Sequence, residues 1–359
     1  MKATQQLHDL GQSLWLDNIT REILDNGTLQ RHIAELSVTG LTSNPTIFNE
    51  AIGSGYYDAA IRAKAKAGKA GEALFIDIAL EDLRRAADLF APIHAKTGGV
   101  DGWVSMEVSP LLAADTAGTI AAAKDIFAAA QRRNLFVKIP GTPAGIPAIE
   151  EAILQGVPVN VTLLFSREQY LAAAEAYLRG IERRLAAGLD AVVESVASVF
   201  VSRWDRALGA EVPAELHNRL GTATSALTYR AYLDLLASDR WKKLAAQGAH
   251  AQRLLWASTG TKDPKLSANF YVEALAAPGT VDTMPEKTLL AFAKDGKVGA
   301  AMAADGGDAE ALLAQYARAG VDVDALATKL QVDGAKAFVD SWNELMRRIA
   351  TKSAALAAA

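Results

Sequence analysis

The 359-residue chain contains no cysteine. This absence excludes disulfides, zinc ribbons, iron–sulfur clusters and cysteine nucleophiles from the chemistry of the protein. Histidine is scarce as well, and no two histidines have the spacing of paired metal ligands, so we expect no metal site. Each histidine is more simply interpreted as a surface or helix residue than as a metal ligand. The five histidines are His8, His32, His94, His217 and His250.

Long apolar runs and an excess of basic residues are also missing. Half of the residues are apolar, enough for a large core, yet no run approaches the roughly 18 residues of a membrane span. The first ten residues lack the apolar segment of a secretory signal. Lys and Arg total 37 against 41 Asp and Glu, a net charge of −4, which provides no basic surface for nucleic acid. We therefore expect a cytoplasmic protein that binds neither membrane nor nucleic acid.

Short apolar runs alternate with longer amphipathic ones, a pattern typical of βα units around a parallel sheet. Eight such runs predict eight strands, and this number indicates a closed (β/α)8 TIM barrel. The predicted strands cover residues 14–19, 36–41, 102–108, 135–140, 159–165, 192–200 and 253–259, with a weaker pattern for the eighth at 280–284.

Amphipathic segments predict helices over residues 75–94, 116–132, 147–154, 166–185, 223–245 and 267–275. Ser166 and Gln169 have the spacing of a capping box, which predicts a helix start directly after the fifth strand. The chain from residue 286 onward is predicted to be almost wholly helical. Since no repeat or linker divides the sequence, we expect one domain over residues 1–359. It would carry helical insertions near 45–100 and 206–250 and a helical C-terminal extension from about 286.

Within the predicted strands, polar residues recur at alternate positions, and the positions between them are aliphatic. Successive side chains of a strand point to opposite faces, and helices cover the outside of a parallel sheet, so the polar face should be the barrel interior. The residues assigned to that face are Trp15, Asp17, Ser105, Glu107, Phe136, Lys138, Asn160, Thr162, Glu194 and Ser198. Most of the polar ones stand near the C-terminal ends of their strands, where active sites of such barrels lie.

Lys138 stands inside an apolar run that stops abruptly at Pro140 and Gly141. Desolvation of a lysine favours the neutral amine that attacks carbonyl carbons, so Lys138 is a candidate Schiff-base nucleophile. An isolated strand lysine more often packs its stem and extends its amine to solvent. Asp17 and Glu107 are candidates to move protons, or all three groups form only a structural ion pair network. Without metal ligands, an imine is the plausible electron sink for aldol cleavage.

Five segments resemble the transaldolase family, in order along residues 14–300. They are residues 16–17 (LD), 41–46 (LTSNPT), 105–108 (SMEV), 137–140 (VKIP) and, most specifically, 159–166 (VNVTLLFS). The length and insertions are similar to those of the longer bacterial branch. The resemblance implies a cofactor-free enzyme of the non-oxidative pentose phosphate pathway. It would transfer a dihydroxyacetone unit from sedoheptulose 7-phosphate or fructose 6-phosphate to glyceraldehyde 3-phosphate or erythrose 4-phosphate.

The resemblance also implies catalytic roles. Lys138 would form the Schiff base, and Glu107 would handle protons during imine formation through a water held by Thr162. Asp17 would take the hydroxyl proton during carbon–carbon cleavage. Fructose 6-phosphate aldolases of this family have a tyrosine where this chain has Glu107, so Glu107 favours transfer over simple cleavage.

Substrate-binding residues follow from the same resemblance and from one loop. Two asparagines would bind the dihydroxyacetone part, and residues 198–203 (SVFVSR) would supply a serine and an arginine to the phosphate. Residues 258–264 (STGTKDP) offer hydroxyls, a glycine turn and a lysine where such barrels often bind phosphate, although an ordinary capped turn fits equally well. Bacterial relatives commonly have an arginine near this lysine. The predicted binding residues are Asn44, Asn160, Ser198, Phe200, Arg203 and Lys262, of which Phe200 could equally be core.

Other interpretations remain open at the level of the sequence. One is a Schiff-base aldolase that cleaves fructose 6-phosphate, and another is a pyridoxal-phosphate barrel in which Lys138 holds the cofactor. A third is a barrel that binds sugar phosphates without turning them over. The sequence also leaves open whether the protein is a monomer or a homodimer.

Overall fold

In the computed structural model, which describes residues 1–208 and 211–358, eight parallel strands form one sheet. Their order is β2-β1-β8-β7-β6-β5-β4-β3. The strands are β1 (Ser13–Asp17), β2 (Val38–Thr42), β3 (Val104–Glu107), β4 (Leu135–Pro140), β5 (Val159–Leu164), β6 (Ser195–Phe200), β7 (Arg253–Ala257) and β8 (Val281–Met284). Two backbone hydrogen bonds, Leu41 N to Trp103 O and Gly102 N to Thr39 O, join β2 to β3 at 2.9 Å each. The sheet is therefore a nearly closed TIM barrel, which confirms the predicted fold and all eight strands.

Helices surround this barrel. They are α1 (Ala3–Asp9), α2 (Arg21–Asp25), α3 (Thr28–Leu36), α4 (Pro45–Gly53), α5 (Asp58–Lys66), α6 (Gly71–Lys96), α7 (Thr116–Ala130), α8 (Gly145–Leu154), α9 (Arg167–Ala186), α10 (Ser202–Leu208), α11 (Leu220–Ala237), α12 (Asp239–Ala245), α13 (Phe270–Ala274), α14 (Glu286–Asp295), α15 (Ala309–Arg318) and α16 (Val323–Ala358). Short 3-10 turns lie at Gly55–Tyr57, Pro110–Leu112 and Ala214–Leu216. No helix within the described ranges is long and apolar enough to span a membrane.

The capping-box prediction is confirmed, because the Ser166 hydroxyl accepts a hydrogen bond from Gln169 N and the Gln169 side chain accepts one from Ser166 N. The single helix predicted over residues 223–245 is wrong. Ser238 is extended and caps a new helix by accepting from Trp241 N, so α11 and α12 are separate. The predicted helix over 267–275 shortens to α13.

The C-terminal part is helical, but residues 296–308 interrupt it. Two glycines in that stretch, Gly306 and Gly307, have φ values of 84° and 55°, a left-handed backbone that does not continue a helix. Between β2 and β3 the chain forms α4 to α6, and between β6 and β7 it forms α10 to α12. The long α16 returns over the barrel and packs against α4, α5 and α6. The single-domain organisation stays a prediction.

Aromatic side chains fill the lower half of the barrel interior. Trp103 stacks on Phe136 with ring centroids 4.0 Å apart, and Trp15 lies 6.1 Å from Phe136. Trp15 and Phe136 each precede a polar interior residue by two positions, so they form the layer below Asp17 and Lys138. Because this layer is packed and buried, the polar layer is open only towards the C-terminal ends of the strands.

Candidate active site

A cavity of about 320 Å³ opens at the C-terminal ends of the strands. It is the end of the barrel at which this fold places reactive groups. Eight of the ten predicted site residues line it: Asp17, Asn44, Lys138, Thr162, Ser198, Phe200, Arg203 and Lys262. The other two, Glu107 and Asn160, are buried beside Lys138, which pairs in register with both of them on the neighbouring strands.

Lys138 does not extend to solvent, since only 7% of its side chain is exposed. Its amine donates a hydrogen bond to the carbonyl oxygen of Ser43 at 3.0 Å and lies 3.7 Å from the Oε2 atom of Glu107. The alternative of a lysine with a solvated amine is therefore wrong. The amine is held at the floor of the cavity, next to an acid.

Glu107 is the most desolvated acid around the amine, with 4% of its side chain exposed. Burial raises the pKa of Glu107 to about 7, against the opposing effect of Lys138. Among the residues that the structure describes, neither carboxylate oxygen of Glu107 has a hydrogen-bond partner, and neither does the buried hydroxyl of Thr162. Buried polar groups are rarely left without partners, so these atoms are available to a ligand or a water.

Asp17 stands on the cavity wall. Its Oδ1 atom accepts a hydrogen bond from the Thr42 hydroxyl at 2.7 Å, and that hydroxyl lies 2.6 Å from the hydroxyl of Thr283. Burial raises the pKa of Asp17, whereas Lys138 and the bond from Thr42 lower it. Sequence reasoning did not select Thr42 or Thr283 as site residues. Thr42 stands within the LTSNPT segment, but Thr283 gave no signal beyond its place in the last strand.

The two predicted asparagines have different surroundings. Asn160 is fully buried; its Oδ1 accepts from the Ser198 hydroxyl at 2.7 Å, and its Nδ2 donates to Ser105 Oγ at 3.2 Å. Asn44 lines the cavity, and its Oδ1 caps α4 by accepting from Ile47 N at 3.0 Å. The cap fixes the side chain of Asn44 at the rim, while substrate binding by either asparagine stays a prediction.

The side of the cavity between β6 and β7 is positively charged. Arg203 lies over the ring of Phe200, 4.7 Å from its centroid, and 5.9 Å from the ring of Phe338 in α16. Arg206 and Lys262 line the same side, and Arg206 was not selected from the sequence. Burial lowers the pKa of Arg203, and the nearby Arg206 lowers it further. Two arginines and a lysine in one wall favour an anionic ligand.

No carboxylate in the described part of the chain forms an ion pair with any of these three cations. Asp205 stands between the two arginines in sequence, yet its carboxylate is used elsewhere. It accepts hydrogen bonds from Leu220 N at 2.9 Å, Gly221 N at 3.2 Å and the Tyr271 hydroxyl at 2.8 Å. The positive charge of the wall is therefore left for a ligand.

Strand parity assigned one residue of β5 to the wrong face, and one residue that it assigned to the interior lies away from the cavity. Glu194 precedes β6 and pairs with His250 at the opposite end of the strand from the cavity. Leu163, which parity placed on the outer face, has a left-handed φ of 59° at a shift in the β5–β6 register. This bulge turns Leu163 towards α16, so that an ideal Cβ on Gly334 would lie 2.9 Å from its side chain. An extra residue in a strand reverses the alternation that parity assumes.

Within residues 1–208 and 211–358, no three His, Asp or Glu side chains are grouped to hold a metal ion. The fold and the cavity thus define a TIM barrel whose open end combines a buried amine, two acids and a positively charged wall. The arrangement provides the groups that imine chemistry on an anionic carbonyl compound needs.

Comparison with known proteins agrees with this description. The sequence model of the family described as Transaldolase/Fructose-6-phosphate aldolase matches residues 14–349. The Transaldolase of Arthrobacter sp. (strain FB24) is 44% identical over 353 residues, 96% of this chain and 95% of the relative. That of Parafrankia sp. (strain EAN1pec) is 44% identical over 359 residues, 97% of both chains. That of Thermobifida fusca (strain YX) is 43% identical over 361 residues, 98% of both. The chain belongs to the transaldolase/fructose-6-phosphate aldolase family.

Proposed function

We infer that the protein is an enzyme, a transaldolase of the transferase class, and propose that it works through a Schiff base on Lys138. Family membership and the names of the relatives support the activity. The observation that carries the mechanism is the buried amine of Lys138, 3.7 Å from Glu107 at the floor of the cavity. An amine that reacts with a carbonyl needs such a proton donor and acceptor beside it.

Imine formation is the first stage. Glu107 takes one proton from the amine of Lys138, the neutral amine attacks the C2 carbonyl carbon of the ketose phosphate to form a nitrogen–carbon bond, and a second proton of the nitrogen passes to the carbonyl oxygen. The resulting hydroxyl leaves as water when Glu107 protonates it through a water held by Thr162. The unpartnered carboxylate oxygens of Glu107 and the unpartnered hydroxyl of Thr162 support this path.

Cleavage and transfer follow. Asp17 takes the proton of the C4 hydroxyl, the bond between C3 and C4 breaks, and its electron pair enters the iminium as an enamine. The aldose phosphate leaves. The enamine carbon then attacks the aldehyde of the acceptor, Asp17 returns its proton to the new alkoxide, and hydrolysis of the imine frees Lys138. The carboxylate of Asp17, fixed by Thr42 at the cavity wall, supports this role.

Phosphate binding would fix the distal end of the donor and acceptor. We assign it to Arg203 and Lys262, as the sequence indicates, together with Arg206, since all three line one wall and no carboxylate within the described ranges pairs with them. Asn44 and Asn160 are assigned to the dihydroxyacetone part, with Ser198 as the partner of Asn160. Free sugar phosphates as substrates fit the cytoplasmic location expected from the sequence.

Borohydride trapping tests the mechanism. Incubation with fructose 6-phosphate and borohydride should reduce the imine and leave a three-carbon adduct on the peptide that contains Lys138. A parallel sample of Lys138→Met, which lacks the amine, should remain unmodified at this peptide. An adduct on another lysine, or none in a protein that is active, would overturn the assignment.

A further inference from the structure

Gln331 of α16 joins the ends of the two strands that carry Lys138 and Thr162. Its Nε2 atom donates hydrogen bonds to the carbonyl oxygens of Gly141 and Leu163, both at 3.0 Å. An amide nitrogen has two N–H groups, so both are used. Gln331 is buried, with 8% of the residue exposed. A helix that lies 168 residues or more away in sequence thus supplies the partners of two buried carbonyls at the C-terminal ends of β4 and β5.

The Leu163 carbonyl belongs to the bulge in β5. A bulky residue with a φ of 59° is strained, and such a conformation persists only where its surroundings hold it. Thr162 immediately precedes Leu163, and the Thr162 carbonyl accepts a hydrogen bond from Gly141 N at 2.8 Å. Any relaxation of the bulge would therefore rotate or displace Thr162, and with it the unpartnered hydroxyl of this cavity-lining residue.

The rest of the same helix face supports this contact. Gly334 follows Gln331 by one turn, and the lack of a side chain lets α16 approach Leu163 and Arg203; an added Cβ would lie 2.9 Å and 3.1 Å from them. Phe338, one further turn along, lines the cavity. The face formed by Gln331, Gly334 and Phe338 has the spacing of helix neighbours that point in one direction.

We propose that Gln331 is a positioning residue for Thr162, so that the C-terminal helix sets the geometry of proton transfer although it supplies none of the reacting groups. This proposal rests on the proposed function. It assigns to α16 a role in the rate of imine formation and hydrolysis, which is distinct from a role in holding the sugar phosphate.

The test compares Gln331→Leu, which removes both donors at nearly constant volume, with wild type. We expect kcat for transfer to fall roughly 10- to 100-fold, the usual effect of losing a residue that orients a reacting group. KM for fructose 6-phosphate and inhibition by inorganic phosphate should change by less than about twofold, because Arg203 and Arg206 are retained. The helix should stay docked, since Trp342 packs against Phe75 with ring centroids 5.3 Å apart.

Two further variants separate positioning from general stability. Val332→Ala changes the next residue of α16, whose side chain points to solvent, and should leave kcat unchanged. Gln331→Glu keeps the shape but donates only when its carboxyl is protonated. Its activity relative to wild type should therefore rise as the pH falls, whereas that of Gln331→Leu should not.

The outcomes distinguish two failures. If wild type gives no trapped adduct on Lys138, the proposed function itself is wrong. If wild type gives the adduct and Gln331→Leu retains its kcat, only the positioning role is wrong. The positioning role would also be wrong if Gln331→Leu raised KM and weakened phosphate inhibition as much as it lowered kcat, and if Gln331→Glu showed no pH dependence. Such a result would mean that α16 acts on binding. The thermal midpoint of each variant is measured to identify any that fail to fold.

Discussion

The amine of Lys138 lies 3.7 Å from the Oε2 atom of Glu107, and each side chain is less than a tenth exposed. A buried pair of opposite charges is costly to desolvate, and removal of one partner leaves the other unpaired in a dry site. The hydrogen bond from Lys138 to the Ser43 carbonyl, at 3.0 Å, fixes the amine beside the acid. The pair is thus arranged for exchange of a proton at short range.

Replacement of the nucleophile gives the first prediction. Lys138→Met keeps most of the side-chain volume and removes the amine, so transfer activity should fall by roughly 10⁴-fold or more. The measurement is a coupled assay for glyceraldehyde 3-phosphate formation or consumption. Lys329→Met is the matched control, since that lysine lies on the outer face of α16 with 69% of its side chain exposed. Activity of Lys138→Met close to that of the control would contradict the assignment.

The pKa of Glu107, raised to about 7 by burial, predicts the pH dependence of the rate. Glu107 is ionised mainly above that pH, and an ionised Glu107 is needed to accept from the amine of Lys138 the proton that it later gives to the departing hydroxyl. The value of kcat/KM should therefore fall about tenfold per pH unit as the pH drops below about 7. In Glu107→Gln the overall rate should be low, and kcat/KM should no longer decrease as the pH drops below about 7. If the decrease at low pH persists in Glu107→Gln, the titrating group is another one, such as Asp17.

Loss of Arg203 should act on binding. Arg203→Ala should raise KM for fructose 6-phosphate about 10- to 100-fold, which is the effect expected from the loss of a charge-assisted hydrogen bond to phosphate. The KM for free dihydroxyacetone should change by less than about twofold. Arg206→Ala should act in the same direction but more weakly, because that side chain is exposed and solvent screens its charge. Arg230→Ala, which breaks an ion pair with Glu310 outside the cavity lining, is the control. An equal effect of Arg203→Ala on both donors would remove it from the phosphate site.

The bond from Thr42 to Asp17 gives a prediction about cleavage. Thr42→Val removes a donor that lowers the pKa of Asp17, so Asp17 should be a less well oriented base and the single-turnover rate of aldose release should fall about tenfold. Thr39→Val removes a buried hydroxyl from the same strand, where it donates to the Leu14 carbonyl at 3.4 Å. That control should release aldose at the wild-type rate. Equal rates in the two variants would show that Thr42 does not act through Asp17.

Asp282 predicts how stability depends on pH. Burial raises its pKa to about 7, and its side-chain partner is the hydroxyl of Thr259 at 3.0 Å, which also lies 3.0 Å from the Thr283 carbonyl. One hydroxyl proton serves both acceptors fully only if Asp282 is protonated and donates to Thr259. The stability that Asp282 contributes is thus fully present below its unfolded pKa and is lost as the pH rises through about 7.

Asp282→Asn removes the buried charge and should be more stable than wild type at pH 8, by a few kcal/mol, with the difference shrinking towards pH 4. Denaturant unfolding at the two pH values measures this. Asp295 is an exposed acid on α14, and the stability difference between Asp295→Asn and wild type should not depend on pH in this way. If wild type became more stable relative to Asp282→Asn between pH 5 and pH 8, the inference that folded Asp282 is protonated would be wrong.

Much of the site could be predicted because it lies in short segments whose local pattern is enough. Lys138 within an apolar strand, and Asp17 and Glu107 at alternate positions of theirs, were placed by parity alone, since strand geometry fixes which side chains share a face. The capping box at Ser166 was equally local, because both partners lie within one turn. The family resemblance then ordered these residues by role.

The tertiary structure decided what depends on contacts between distant segments. The Asp205 carboxylate does not neutralise the neighbouring arginines because it is bound to the backbone of α11. Phe338 lines the cavity, and Gln331 meets the Gly141 and Leu163 carbonyls, only because α16 returns over the barrel. A local pattern does not encode such contacts, and the bulge at Leu163 reversed the parity on which the assignment of that strand end relied. The sequence by itself determined the barrel and its reactive groups through periodicity. Packing between segments far apart in the chain decided how those groups are oriented and which charges remain unpaired.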